Sequence, residues 1–193
     1  MDIESKQKRL IEILVKVSFN YSAEPIFPLA SGKMSKYYLD CKKTFSYPEA
    51  RILIGELIFD RFKDNDFSAV GGLSFGAYPV AIAVSDAAYR NGRELKAFVI
   101  RKEAKGHGLK RHIEGDIKKG ERVLIVEDVV TSGGSTIDAI RKAMEAELQV
   151  SHVVAIVDRE ESGGRGSIEA ERVKFSSLIT LTDLVKYCEE IKT

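Results

Sequence analysis

Residues Val123 to Thr136 read VLIVEDVVTSGGST and carry chemically capable side chains in a telling order. Val123 to Val126 is an apolar, largely β-branched run with the character of a buried parallel strand. Two adjacent acids, Glu127 and Asp128, stand at its carboxyl end, and Val129 and Val130 lead into a turn of hydroxyl residues and glycines. Helical spacing follows from Ile137. In open α/β sheets, ligands bind outside the carboxyl ends of the strands. The first N–H groups of a helix lack intrahelical partners and sit at the positive end of its dipole, so they suit an anion. Gly133 and Gly134 let the backbone approach closely, and Thr131, Ser132, Ser135 and Thr136 add hydroxyl donors. This order asks for a ligand with a phosphate for the turn and neutral hydroxyls or a metal for the acids. A phosphorylated sugar has both. The plain alternative is a Gly-rich βα turn with two solvated acids, which has no need of the whole ordered set. The Gly-Lys-Ser/Thr of a Walker A loop and the G-x-G-x-x-G of dinucleotide binding do not occur here.

Other stretches hold further candidates. Arg101 to Gly115, RKEAKGHGLKRHIEG, has seven cationic or potentially cationic side chains and three glycines with almost no apolar anchor. It reads as a mobile loop rather than an element; a solvated basic loop or a weak RNA-contact patch is the plain alternative, and composition alone excludes neither. Ser31 to Tyr38, SGKMSKYY, has a turn signal and an alternating end, so its local pattern is a β-hairpin whose tyrosines stack on the core. Phe67 to Pro79 repeats the order of strand, Gly-containing loop and helix, with Ser74, Phe75 and Gly76 in the loop; a plain βα loop has the same look. Val153 to Val157 is a buried run that ends in Asp158-Arg159. Arg159 either offers a planar fork to a carboxylate or is a surface residue paired with Glu160 or Glu161.

These residues need a scaffold. Helical spacing marks Ser5 to Val17, and Pro48 to Phe62 is expected as an amphipathic helix with proline at its start. A third helix spans Pro79 to Arg90, and the last runs to Ile191 with Thr182 as its cap. Strands are expected at Lys96 to Ile100 and Lys174 to Ile179. The 193 residues, 44% hydrophobic and 31% charged, match one soluble globular domain. A formal charge of +1 gives no global attraction to nucleic acid or anionic lipid. Cys41 and Cys188 form neither a disulfide framework nor a metal-ligand spacing. No segment approaches the roughly 18 apolar residues of a membrane span, and the amino terminus lacks a signal-peptide core. A cytoplasmic protein with no membrane or nucleic-acid partner is expected.

The 123–136 stretch resembles the phosphoribosyl-diphosphate (PRPP) signature of the type I phosphoribosyltransferases: apolar strand, two acids, two apolar residues, then Thr-x-Gly-(Gly)-Ser/Thr. RKEAKGHG resembles the catalytic loop of the orotate phosphoribosyltransferases, Arg-Lys-Glu-x-Lys-x-His-Gly, a string that adenine and hypoxanthine enzymes of the same fold do not carry. SGKMSKYY is similar to that family's amino-terminal hood, and Asp158-Arg159 to its strand-end dipeptide. The resemblance implies an α/β fold with a central, mainly parallel sheet flanked by helices, in a single domain over residues 1–193 whose residues 20–45 contribute the hood. It implies that Glu127 and Asp128 hold the ribose hydroxyls and steady the ribosyl cation. Val129, Val130, Thr131, Ser132, Gly133, Gly134, Ser135 and Thr136 would form the cup for the 5-phosphate. Diphosphate would be held by the backbone at Ser74, Phe75 and Gly76 and by Arg101, Lys102, Lys105 and His107, with Lys105 the main catalytic cation. Orotate would meet Arg159, Thr131 and the rings of Tyr37 and Tyr38. Mg²⁺ would arrive on the diphosphate with no dedicated protein ligands. A homodimer sharing the 101–115 loop across its interface is implied as well.

The chain departs from the family in three places. Ala30 stands where some bacterial members have a lysine, with Lys33 or Lys36 as possible substitutes. Gly76 replaces a lysine, and Leu109 to Ile113 replaces a Gly-rich loop ending. The decarboxylase domain fused to this activity in some organisms is not expected in a chain of this length. Two other readings remain: a PRPP-dependent purine transferase, and a PRPP-sensing regulator on the same fold.

Overall fold

The computed structural model describes residues 1–28, 32, 34–103 and 112–191. Helix α1 (Ile3–Val17) starts two residues earlier than its spacing suggested, because Asp2 caps it by accepting the Ser5 N–H at 2.8 Å. Two short antiparallel ladders follow, β1 (Phe19–Tyr21) with β4 (Tyr37–Leu39) and β2 (Phe27–Pro28) with β3 (Met34–Ser35). After α2 (Cys41–Phe45) comes α3 (Pro48–Phe62), with proline in its first turn as expected. It is not a simple amphipathic helix, since Ala50, Leu53, Ile54, Gly55, Leu57, Ile58 and Phe59 are all buried. Its inner side packs on a second helix so closely that a Cβ on Gly55 would lie 2.2 Å from the Ala83 carbonyl oxygen.

The remaining elements build a six-stranded sheet. In chain order they are β5 (Ala69–Leu73), α4 (Ala77–Arg90), β6 (Lys96–Ile100), β7 (Ile113–Glu114), β8 (Arg122–Val130), α5 (Gly134–Glu145), β9 (Gln149–Asp158), α6 (Gly164–Glu169), β10 (Lys174–Thr180) and α7 (Leu181–Glu190). The strand order is β10-β9-β8-β5-β6-β7, and only β7 runs antiparallel to its neighbour. Side chains alternate across a strand, so each strand feeds two cores. Val70, Leu124, Val126, Val154 and Ile156 pack with α1, α3 and α4, while Ala69, Val123, Ile125, Val153 and Ala155 pack with α5 and α6. Burial on both faces explains why β8 and β9 read as continuous apolar runs. The α/β class and the central, mainly parallel sheet are as the sequence indicates.

This topology places a crevice. The chain leaves β5 through α4 on one face, and leaves β8 through α5 on the other, yet β5 and β8 are neighbours. Their carboxyl ends therefore diverge at a topological switch point, where open α/β sheets bind ligands. Register pairing between the two stops at Gly71 with Ile125.

Several boundaries differ from expectation. β8 continues through both acids to Val130, and α5 begins at Gly134 rather than Ile137, so Ser135 and Thr136 lie in its first turn. α4 starts at Ala77 rather than Pro79. Thr180, not Thr182, caps α7, in a capping box with Asp183. Within the expected 101–115 loop, β7 pairs with β6, and the Arg101 N–H donates to the His112 carbonyl at 2.7 Å.

Candidate active site

At the end of β8, Glu127 is 5% exposed and Asp128 half-buried. Glu127 Oε1 accepts the Asp128 N–H at 3.2 Å, and its Oε2 accepts the Thr136 hydroxyl at 3.1 Å. Burial, reinforced by the neighbouring negative charge of Asp128, pushes the Glu127 carboxyl up to about 8. Burial beside a second acid thus favours the neutral form of Glu127. Thr136 is buried with its hydroxyl engaged by Glu127, so the side chains offered to an anion are those of Thr131, Ser132 and Ser135.

The turn itself is built by glycine. Gly133 has φ +80°, and a Cβ there would sit 3.0 Å from the Gly164 carbonyl oxygen. Gly164 presses back: a Cβ on it would lie 2.4 Å from the Thr131 carbonyl oxygen. No side chain caps the start of α5, a 12-residue helix, so its first N–H groups face the crevice mouth without a capping partner.

Across the crevice lies the β5–α4 loop. The Ser74 N–H donates to the Ile100 carbonyl at 2.7 Å, which commits that amide to the sheet and leaves any backbone anion contact to Phe75 and Gly76. Phe75 is a non-glycine residue at φ +67° and is 85% exposed, a strained conformation of the kind that collects at binding sites. A Cβ on Gly76 would lie 2.8 Å from Asp128 Oδ1, so the loop and the acid pair are in direct apposition. Ser74, Phe75, Arg101, Lys102, Glu103 and Glu114 line one cavity of about 500 Å³. Arg101 pairs with Glu114 at 3.2 Å. Lys105 and His107 lie outside the described residues, as do Ala30, Ser31 and Lys33.

Arg159 follows β9, and its N–H donates to the Val130 carbonyl at 2.9 Å, which fixes it beside the anion turn. It is buried, not a surface residue. Its Nη2 donates to the Tyr37 carbonyl at 2.9 Å and the Ser35 hydroxyl at 3.2 Å, and lies 2.7 Å from Glu161 Oε2. Asp158 shapes this corner by accepting the Glu160 N–H and an ion pair from Arg165. The hood tyrosines divide their tasks. Tyr37 stacks on Phe19 at 5.9 Å, whereas Tyr38, on the opposite strand face, is 41% exposed beside Phe27.

Two participants, Ser35 and Lys142, have contacts that escape sequence reading, and a third is read only in part. Ser35 looks like any serine in a hairpin until the hood folds over β9. Glu161 is foreseen as one of two acids that could pair with Arg159, but on the surface, whereas the pair lies where Arg159 is buried. Lys142 of α5 holds Asp138 at 2.8 Å and donates to the carbonyls of Arg101 and Lys102 at 3.3 and 2.7 Å, tying the base of the basic loop to the helix of the anion turn. The acid–base spacing of Asp138 and Lys142 signals the pair within the helix but nothing of the loop. Among the described residues no cluster of three or more His, Cys, Asp or Glu could hold a metal ion.

Comparison with known proteins agrees with this arrangement. Residues 45–177 match the phosphoribosyl transferase domain family. The orotate phosphoribosyltransferase of Aquifex aeolicus is 43% identical over 180 residues, 93% of this chain and 98% of that protein. The Methanocaldococcus jannaschii orotate phosphoribosyltransferase is 39% identical over 93% of this chain and 97% of its own length. The Mycobacterium tuberculosis orotate phosphoribosyltransferase, solved in complex with PRPP, superposes with a TM-score of 0.75 at 33% identity, covering 93% of this chain and 92% of that one. With the fold, the strand-end acids and the glycine-built anion turn all in place, the chain belongs to the phosphoribosyltransferase family, among its orotate phosphoribosyltransferases.

Proposed function

We propose that this protein joins orotate to PRPP, giving orotidine 5′-phosphate and diphosphate. The observation that supports the reading is the backbone hydrogen bond from the Arg159 N–H to the Val130 carbonyl, which holds the main chain of Arg159 beside the anion turn; a guanidinium is suited to a carboxylate. Orotate N1 attacks the anomeric carbon as its bond to the diphosphate oxygen breaks. The ring nitrogen's proton, already acidic, passes to solvent, so orientation and leaving-group stabilisation matter more than a strong base. Glu127 and Asp128 face the ribose hydroxyls, with the anion turn on the 5-phosphate. Phe75, Gly76, Arg101, Lys102, Lys105 and His107 receive the diphosphate, and Lys105 is the main catalytic cation. Closure of the basic loop excludes water that would hydrolyse PRPP. Mg²⁺ would be held by diphosphate oxygens and water rather than by protein ligands, and would supply positive charge to the leaving diphosphate. Tyr38 is the hood ring open to orotate, while Tyr37 acts through its carbonyl on Arg159.

We also read the chain as one domain that works as a cytoplasmic homodimer. Ile52 on α3 and Ile82 on α4 are exposed and line one groove with Phe45, Pro48 and Pro79, an apolar surface that supports this reading.

Orotate absorbance followed with PRPP and Mg²⁺ tests the activity. Lys105→Ala is expected to lower kcat on the order of 100-fold with little effect on orotate binding. Arg159→Ala is expected to weaken orotate binding on the order of 100-fold. Equal effects of the two on both parameters would contradict these roles. Turnover of adenine or hypoxanthine, which carry no carboxylate for Arg159, would favour a purine transferase. Nucleic-acid binding without turnover would favour a regulator.

A further inference from the structure

The partner that Arg159 already has is itself a carboxylate. Glu161 Oε2 lies 2.7 Å from Arg159 Nη2, and Glu161 Oε1 accepts the Ser35 hydroxyl at 2.9 Å. Ser35 also accepts from Arg159, so the hood serine, the arginine and the glutamate close one network. The network is incomplete. Arg159 is 6% exposed, yet its Nε is buried without a hydrogen-bond partner, and Glu161 Oε2 is buried at ion-pair distance without a hydrogen-bond geometry. Nε and Nη2 form one edge of the guanidinium fork, an edge that takes a carboxylate through two parallel bonds. Glu161 fills half of it.

The backbone holds Glu161 there. Its neighbours Glu160 and Ser162, both non-glycine, have φ +54° and +58°, and Gly163 follows at +71°. Glu160 is anchored away from the site, accepting both the N–H and the hydroxyl of Thr182. Strained conformations of this sort persist where surrounding contacts impose them. The wound turn thus presents Glu161 to Arg159 while releasing Glu160 to α7.

We propose that Glu161 is a resident counter-ion of Arg159, displaced by the carboxylate of the incoming pyrimidine, and that it thereby sets how strongly the site prefers a carboxylated ring. The proposal rests on the reading of Arg159 as the orotate carboxylate's partner. A buried guanidinium without an anion is costly, and Glu161 supplies one while the site is empty. Because its fit is partial, a ligand carboxylate that takes both Nε and Nη2 can replace it. A ligand without a carboxylate leaves the resident pair in place.

Orotidine 5′-phosphate and uridine 5′-phosphate differ only by that carboxylate, so the ratio of their affinities isolates it. Calorimetric titration of the full chain with each, at one pH and ionic strength, would compare wild type with Glu161→Gln, Glu161→Asp and Arg159→Ala. Glu161→Gln removes the competing charge and is expected to raise the ratio about fivefold, with uridine 5′-phosphate affinity unmoved. Glu161→Asp, too short to reach, should do the same and guards against a folding defect in one variant. An unchanged or lowered ratio in both glutamate variants, with Arg159→Ala abolishing the preference, would overturn the counter-ion while leaving the site reading intact. Should Arg159→Ala leave the preference untouched, the site reading falls and the counter-ion with it.

Discussion

Glu127 shows how one side chain can be legible in type and illegible in state. Its place beside Asp128 at a strand end is plain from the order of residues, but its burial and its bond from Thr136 come from the helix that folds back over it. With the carboxyl pushed from 4.5 up to about 8, the folded chain binds a proton over a range in which the unfolded chain has lost it. Stability must therefore fall as pH rises through that window. Glu127→Gln keeps the shape and cannot ionise. It is expected to melt with wild type near pH 5 and to be more stable by at least about 1 kcal/mol near pH 8. Parallel melting curves for the two proteins across this range would show that Glu127 is ionised throughout.

At the scale of elements, the strand–turn–helix unit depends on two adjacent glycines that are not equivalent. Gly133 combines φ +80° with a close approach to the Gly164 carbonyl, whereas a Cβ on Gly134 would meet nothing nearer than Ser132 Oγ at 3.9 Å. Gly133→Ala is expected to cost about 1–3 kcal/mol and to raise the KM for PRPP. Gly134→Ala, in the first turn of α5, should change stability by no more than about 0.5 kcal/mol. Thermal melts of the pair decide the matter, and equal losses would mean that the turn is not held by its backbone. The same unit is tied to the basic loop through Lys142. Lys142→Met removes the donor to the Arg101 and Lys102 carbonyls. Faster amide exchange at Arg101, with exchange at the centre of β8 unchanged, is the expected result; unaltered exchange at Arg101 would show that β7 alone holds the loop base.

For the whole molecule, the order of strands matters more than any one of them. Because β5, β6, β8 and β9 run parallel, their carboxyl ends put Ser74, Arg101, Asp128 and Arg159 along one edge of the sheet, and because α4 and α5 leave toward opposite faces the crevice opens there between β5 and β8. The exposed apolar patch of α3 and α4 lies outside this crevice chemistry, and the dimer expected from it has a direct test. Ile52→Asp combined with Ile82→Asp places charge in the patch and should convert a dimer to a monomer in sedimentation. A monomeric wild type would remove the shared-loop expectation.

The sequence alone determined the fold class, the run of parallel strands, the anion turn and the identity of most side chains around it. These are local matters: β-branched runs buried on both faces, glycines at a turn, and acids at a strand end leave their mark over a dozen consecutive residues. Tertiary structure alone decided which partners those side chains have. Ser35, Tyr37, Arg159 and Glu161 meet only because the hood folds across the end of β9, more than 120 positions away. The upward shift of the Glu127 carboxyl likewise comes from the desolvation that packing creates. Burial and long-range contact have no periodicity along the chain, so no pattern of neighbouring residues records them.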